Sequence, residues 1–278
     1  MLNWHWLYRD FVLASLESQN PDGWSQRIQQ DYLDVHRELL ETIHFSPKGF
    51  PTSQEVKRRF EELGHRRFSK MLKAIGTDFT GFEQRLISIA ERLLETLEYT
   101  GTEQDVYVIV GLDCTNIYST QFRGSQVTVL CLEATNGDFA VVELLLSHEC
   151  HHWKRQQQFT HDIFMSTVGE RMVSEGLASY FSQEVQPGHG ISDYCYVCPS
   201  TVEWVVNNWN ILDAIHNDLN SSRLITTFFS RNPSEQIVNG MPPRTGYVFG
   251  YLKVQQFLAG VQRNASQMSG VTWSAVMA

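Results

Sequence analysis

The stretch LLLSHECHHWKRQ, residues 144–156, constrains this chain more than any other. His148 and His152 are four residues apart, with Glu149 beside the first. On an α-helix each residue turns about 100°, so the two imidazoles lie about 40° apart and one turn along, and both reach one point in space. Glu149 flanks that face at about 60° from His152, whereas Cys150 points about 160° and His151 about 100° away, so neither crowded neighbour is placed as a ligand. Upstream, Val141, Leu144 and Leu145 continue the stripe. The helix is therefore expected to bury its apolar turns and present two histidines at the end of the buried face.

Two imidazoles on one helix face suit zinc, which takes a third protein ligand and keeps an open position for water at a catalytic site. The spacing H-E-x-x-H-x-x-G-x-x-H would need Gly at 155 and His at 158, but the chain has Arg155 and Gln158, which excludes that metal-protease class. The remaining pattern takes a glutamate from the next helix. The run VGERMVSEGLASYFSQEV, residues 168–185, offers Glu170 and Glu175. Glu175 is followed by Gly176, Leu177 and Ala178, small or apolar residues expected to let this helix pack closely against the first. Arg171 and Ser179, at i−4 and i+4, line up beside Glu175 as partners, while Glu170 points about 140° away. The reading takes His148, His152 and Glu175 as ligands of one zinc ion.

The rest of the chain bounds the setting. Of 278 residues, 42% are hydrophobic and 19% charged, the profile of a globular protein with a sizeable core. Lys and Arg number 22 against 31 Asp and Glu, a formal charge of −9 with no basic block, so a nucleic-acid footprint is missing. The first residues, MLNWHWLYRDFVLASLESQ, lack a basic n-region and an A-x-A-like cleavage site, and no run approaches the roughly 18 apolar residues of a membrane helix. Five cysteines form an odd, sparse set, which favours reduced thiols. Together these give a cytoplasmic expectation with no membrane partner and an oligomeric state left open.

Residues 1–98 read as mainly helical, with stripes at Ile28, Leu33, His36, Leu40, Ile43 and at Leu86, Ile89, Leu93, Leu97, separated by turn chemistry at 45–51 and 74–81. Short β-rich runs follow at 106–112, 116–120 and 126–133. Helices return from Phe139, broken at 186–200 and 239–246. The expected fold is α+β and mainly helical, a small mixed sheet packed on the 144–156 helix and a second, glutamate-bearing helix after it. Residues 1–100 form a helical N-terminal region and residues 101–278 the catalytic region.

The chain resembles the gluzincins, the thermolysin-like clan of zinc metallopeptidases, and more closely a bacterial family described as predicted zinc-dependent proteases, which share HExxH, EGLA and GYxxGY. Here these are HECHH (148–152), EGLASY (175–180) and GYVFGY (246–251) within residues 104–260. The resemblance implies peptide or protein as substrate and a sheet whose edge strand pairs with it; by order, QVTVLCLE (126–133) is the expected edge. Ser179 stands where the family's helix carries an acidic or polar anchor for a ligand histidine. Glu149 is the expected general base. In MPPRTGYVFGYLKVQQFL (241–258), Pro242 and Pro243 suit a helix start, Tyr247 and Tyr251 share a face as candidate oxyanion donors, with Tyr247 nearer the N-terminus, and Gly246 and Gly250 allow close approach to the metal. Arg244 is a candidate grip for a substrate carboxylate and His216 a further donor. CYVC with His189 is read as two loop thiols in preference to a second zinc or redox pair. Hydrolysis of another amide or ester, or a non-catalytic zinc-stabilised binding module, are the alternatives.

Overall fold

The Val-, Ile- and Tyr-rich runs extend as strands because branched and aromatic side chains pack well on a pleated, half-buried surface. In the computed structural model, β1 (Leu2–Trp6), β2 (Gln104–Ile109), β3 (Ile117–Phe122) and β4 (Ser125–Cys131) form one mixed sheet ordered β1-β2-β4-β3. The structure describes all residues except 1, 18–20, 102, 161–162, 164–166, 211–217 and 234–235. β1 and β2 are parallel, as are β2 and β4, and β3 runs antiparallel to β4. Arg123 and Gly124, with φ of +49° and +83°, make the two-residue turn between β3 and β4; a turn with both central residues at positive φ matches the twist of a hairpin.

Two expectations about the sheet change. QVTVLCLE supplies the interior strand β4, and the edge beside it is β3. The reason is burial on both faces: Val127 to Cys131 are all buried, and a continuous apolar run belongs inside a sheet. The other edge, β1, comes from the region read as helical. Its aromatic LNWHW pairs with β2 about a hundred residues away, a contact that local periodicity does not reveal.

Among the described residues, the helices of eight or more residues are α1 (Tyr8–Glu17), α2 (Pro21–Ile28), α3 (Ser53–Ile75), α4 (Phe79–Thr96), α5 (Phe139–Gln156), α6 (Val168–Val185), α7 (Pro199–Asn207) and α8 (Thr245–Val261). The fold is α+β, as expected. The chain divides into two compact units, Met1–Glu91 with Thr102–Glu149, and Arg92–Gly101 with Cys150–Ala278, the division falling within α5. The first unit has an aromatic centre in which Phe11 meets Trp24, Tyr32, Phe60 and Phe68. A Thr52–Glu55 capping box starts α3, satisfying two amides that a bare helix end leaves open. Gly64, at φ +66°, kinks that helix.

The second unit is organised by glycines. A Cβ at Gly250 would strike the Met172 carbonyl oxygen and lie 2.8 Å from its carbon, and one at Gly176 would lie 2.5 Å from the Gly250 carbonyl carbon. Only glycine permits two helix backbones to approach so closely. Gly176 therefore packs α6 against α8, not against α5 as the sequence reading held. Gly246 faces the Phe228 Cβ and the Phe229 ring, so it serves packing in the same unit.

Candidate metal centre

Helix α5 starts where Asp138 Oδ1 accepts from the amide of Ala140 at 2.9 Å, an N-terminal cap, and ends with Lys154 and Arg155 in its last turn, where positive charge suits the helix dipole. Every residue from Leu144 to Trp153 is buried. Val141 is 37% exposed and Val142 fully buried, so the buried apolar face begins at Val142, one residue later than the spacing implied. Helix α6 is capped by Thr167, whose hydroxyl accepts from the amide of Glu170 at 3.2 Å.

Across these helices, side-chain donor atoms of His148, His152 and Glu175 lie within 4.8 Å of one another, all three buried. Among the described residues this is the only group of three or more His, Cys, Asp or Glu able to hold a metal ion. His152 Nδ1 is 3.2 Å from Ser174 Oγ; with Nδ1 donating there, Nε2 carries the lone pair. That atom faces Glu175 Oε2 at 3.4 Å. Two electron-pair donors aimed at each other in a buried place repel unless a proton or a metal ion lies between them. Two nitrogens and one carboxylate oxygen are also a donor set that zinc takes, so the residues present fit the ion.

Around the cluster, Arg171 Nε lies 3.0 Å from Glu175 Oε1 and its guanidinium packs on Phe229. Ser174 holds the place beside His152 that the resemblance gave to Ser179; Ser179 is buried beside the Cys195 thiol and makes no hydrogen bond to a cluster histidine. Glu170 is committed elsewhere. It accepts from Arg155 Nε at 3.0 Å and Nη2 at 2.5 Å, while Arg155 Nη1 donates to the carbonyls of Ser269 and Val271 at 2.8 and 3.0 Å. His151 Nε2 lies 3.2 Å from the Ala265 carbonyl and Cys150 is fully buried.

Glu149 has a partner that the sequence reading missed. Ser119 Oγ, on the edge strand β3, donates to Glu149 Oε2 at 2.8 Å and lies 3.0 Å from Thr128 Oγ1 of β4. Nothing in the local pattern marks Ser119, because its partner is thirty residues away.

The tyrosines of α8 differ. Tyr251 is fully buried, and its hydroxyl donates to Gln183 Oε1 at 2.5 Å. Tyr247 is half-buried; desolvation first, then the nearby Glu175 carboxylate, raise its pKa above the ordinary phenol value, with Arg171 and Arg244 opposing. Arg244 donates to the Tyr196 carbonyl at 2.7 Å and stacks 4.4 Å from the Tyr247 ring centre. His216 lies outside the described residues. None of the five cysteines, all of them described, is in a disulfide; Cys195 is buried and Cys198 exposed.

The profile of the family described as predicted Zn-dependent protease (DUF2268) matches residues 115–277. This chain belongs to that family. The match takes in β3, β4, α5, α6 and α8, and so every residue of the cluster. No curated protein and no solved structure matches the chain. Among the described residues, no helix is long and apolar enough to cross a membrane.

Proposed function

We propose that this member of the predicted Zn-dependent protease family is a peptidase of gluzincin type, with its catalytic region in residues 101–278 and a peptide or protein as substrate. One observation carries the reading: the buried His148, His152 and Glu175 group, in a chain whose family match covers all three. These residues would hold one zinc ion. When bound there, zinc lowers the pKa of a water toward about 7 and polarises a carbonyl oxygen.

The chain's own groups do the rest. Glu149, adjacent to His148 on α5, is the general base: its carboxylate takes a proton from the attacking water and passes it to the departing amine nitrogen. Ser174 fixes the His152 ring, and Arg171 tempers the charge of Glu175. The developing oxyanion needs a hydrogen-bond donor. Tyr247 is the better candidate, since it lies within the field of Glu175 while the Tyr251 hydroxyl is engaged by Gln183. Arg244, already bonded to Tyr196 and stacked on Tyr247, is better suited to steadying that ring than to gripping a substrate carboxylate.

The test is inhibition and ligand loss together. A hydroxamate should block cleavage of a peptide library, and His152→Ala and Glu175→Gln should each abolish stoichiometric zinc. Zinc retained by Glu175→Gln refutes the ligand assignment; a zinc-loaded protein indifferent to hydroxamate refutes catalysis.

A further inference from the structure

Ser119 and Thr128 are directly opposed residues in the β3–β4 ladder, so their side chains leave the sheet on the same face. Thr128 is fully buried and Glu149 nearly so. A carboxylate only accepts, and a serine hydroxyl has one proton. With that proton given to Glu149 Oε2 at 2.8 Å, the Ser119 oxygen can only accept from Thr128 Oγ1 at 3.0 Å. The two bonds therefore have a direction, from Thr128 to Ser119 to Glu149. β3 is also held from its other face, where the Tyr118 hydroxyl donates to the Ile43 carbonyl at 2.8 Å and lies 2.9 Å from His44 Nδ1. An edge strand anchored in this way keeps Ser119 at a fixed height.

We infer that Ser119 is a positioning residue for Glu149, held in its donating rotamer by Thr128, and that it occupies Oε2 so that Oε1 alone carries the proton. The inference deepens the peptidase reading and rests on it for its kinetic consequence. In the transfer, the water oxygen loses its proton to Oε1, Oε2 keeps accepting from Ser119 in both protonation states, and the amine nitrogen then takes the proton from Oε1. No further proton or electron is needed. Ser119 touches neither substrate nor metal in this scheme; it narrows the carboxylate to one orientation, which preserves reacting geometry.

The experiment uses the full zinc-loaded chain, a quenched-fluorescent peptide library, elemental zinc analysis and crystal structures. Ser119→Ala should lower kcat roughly 10- to 100-fold, the range for losing a hydrogen bond to a charged group, with KM within about twofold and zinc unchanged. Ser119→Thr, which keeps the hydroxyl, should restore kcat to within about threefold of wild type. Thr128→Val should fall between, and it serves if Ser119→Ala folds poorly. Wild-type kcat in Ser119→Ala, or an equal loss that Ser119→Thr does not rescue, overturns the inference. If wild type holds zinc but cleaves nothing, the peptidase reading fails by itself, and the crystal structure of Ser119→Ala decides the inference. A turned Glu149 carboxylate supports it, and an unmoved one overturns it.

Discussion

Replacing Gly250 by alanine tests the packing that joins the Glu175 helix to the tyrosine helix. The new methyl would lie 2.8 Å from the Met172 carbonyl carbon and nearer still to its oxygen. Carbon atoms pack at about 3.5–4.0 Å, so the backbones must part by about 1 Å. Both sides of this contact are main chain, which no rotamer change relieves. A clash of main chain with main chain belongs at the upper end of the usual overpacking range, about 3 kcal/mol, and the better helix propensity of alanine returns about 1 kcal/mol, leaving a net loss of about 2 kcal/mol. In a chain of this size that is a fall in Tm of about 4–8 °C. Gly260 on the same helix is the internal control, because a Cβ there meets nothing within 4 Å; Gly260→Ala should gain about 0.5–1 kcal/mol from propensity alone. Calorimetry on the two variants measures both. A Gly250→Ala protein as stable as wild type, or one shifting in the same direction as Gly260→Ala, would refute the reasoning.

Other outcomes follow from neighbouring groups. Glu170→Gln strips the buried Arg155 of its charged partner and should destabilise the fold by about 3–5 kcal/mol while leaving zinc content unchanged, which urea titration and elemental analysis check together. Tyr247→Phe should lower kcat about 100- to 1000-fold, whereas Tyr251→Phe should lose only about 1 kcal/mol of stability with its Gln183 bond; steady-state kinetics and thermal melts separate the two. Burial pushes Glu133 up to about 7, and its Oε2 finds no hydrogen-bond partner among the described residues. The folded chain thus holds that proton at pH values where the unfolded chain has released it, so this residue's contribution falls as pH rises from about 4.5 to 7. Glu133→Gln should flatten that decline in urea titrations across the window; an unchanged slope would contradict it.

The helix that carries the histidines was legible because its chemistry is local: i and i+4 spacing places His148 and His152 together whatever surrounds them. Glu175 was singled out one helix later from its neighbours at i−4 and i+4, and of these Ser179 lies beside the Cys195 thiol instead. Arg171 does meet Glu175. Strand order was not legible, because pairing β4 between β2 and β3 depends on contacts remote in sequence, although the unbroken apolar run of VTVLC was a usable sign of an interior strand. β1 was hidden for a similar reason, five residues whose partner comes a hundred positions later. Arg155 was read only as the residue that excludes another spacing, when its guanidinium is fully buried on Glu170 and two carbonyls; burial of a charge leaves no mark in periodicity. The glycines were recognised as close-approach positions, but which helix they approach is a tertiary fact.

The central claim is that His148, His152 and Glu175 hold zinc for chemistry in which Glu149 moves the proton. Elemental analysis of wild type and Glu149→Gln, run beside cleavage of a quenched-fluorescent peptide library, tests it most directly. The account predicts about one zinc per chain in both proteins, with cleavage by wild type alone. No zinc in the wild type, or equal cleavage by Glu149→Gln, would contradict it.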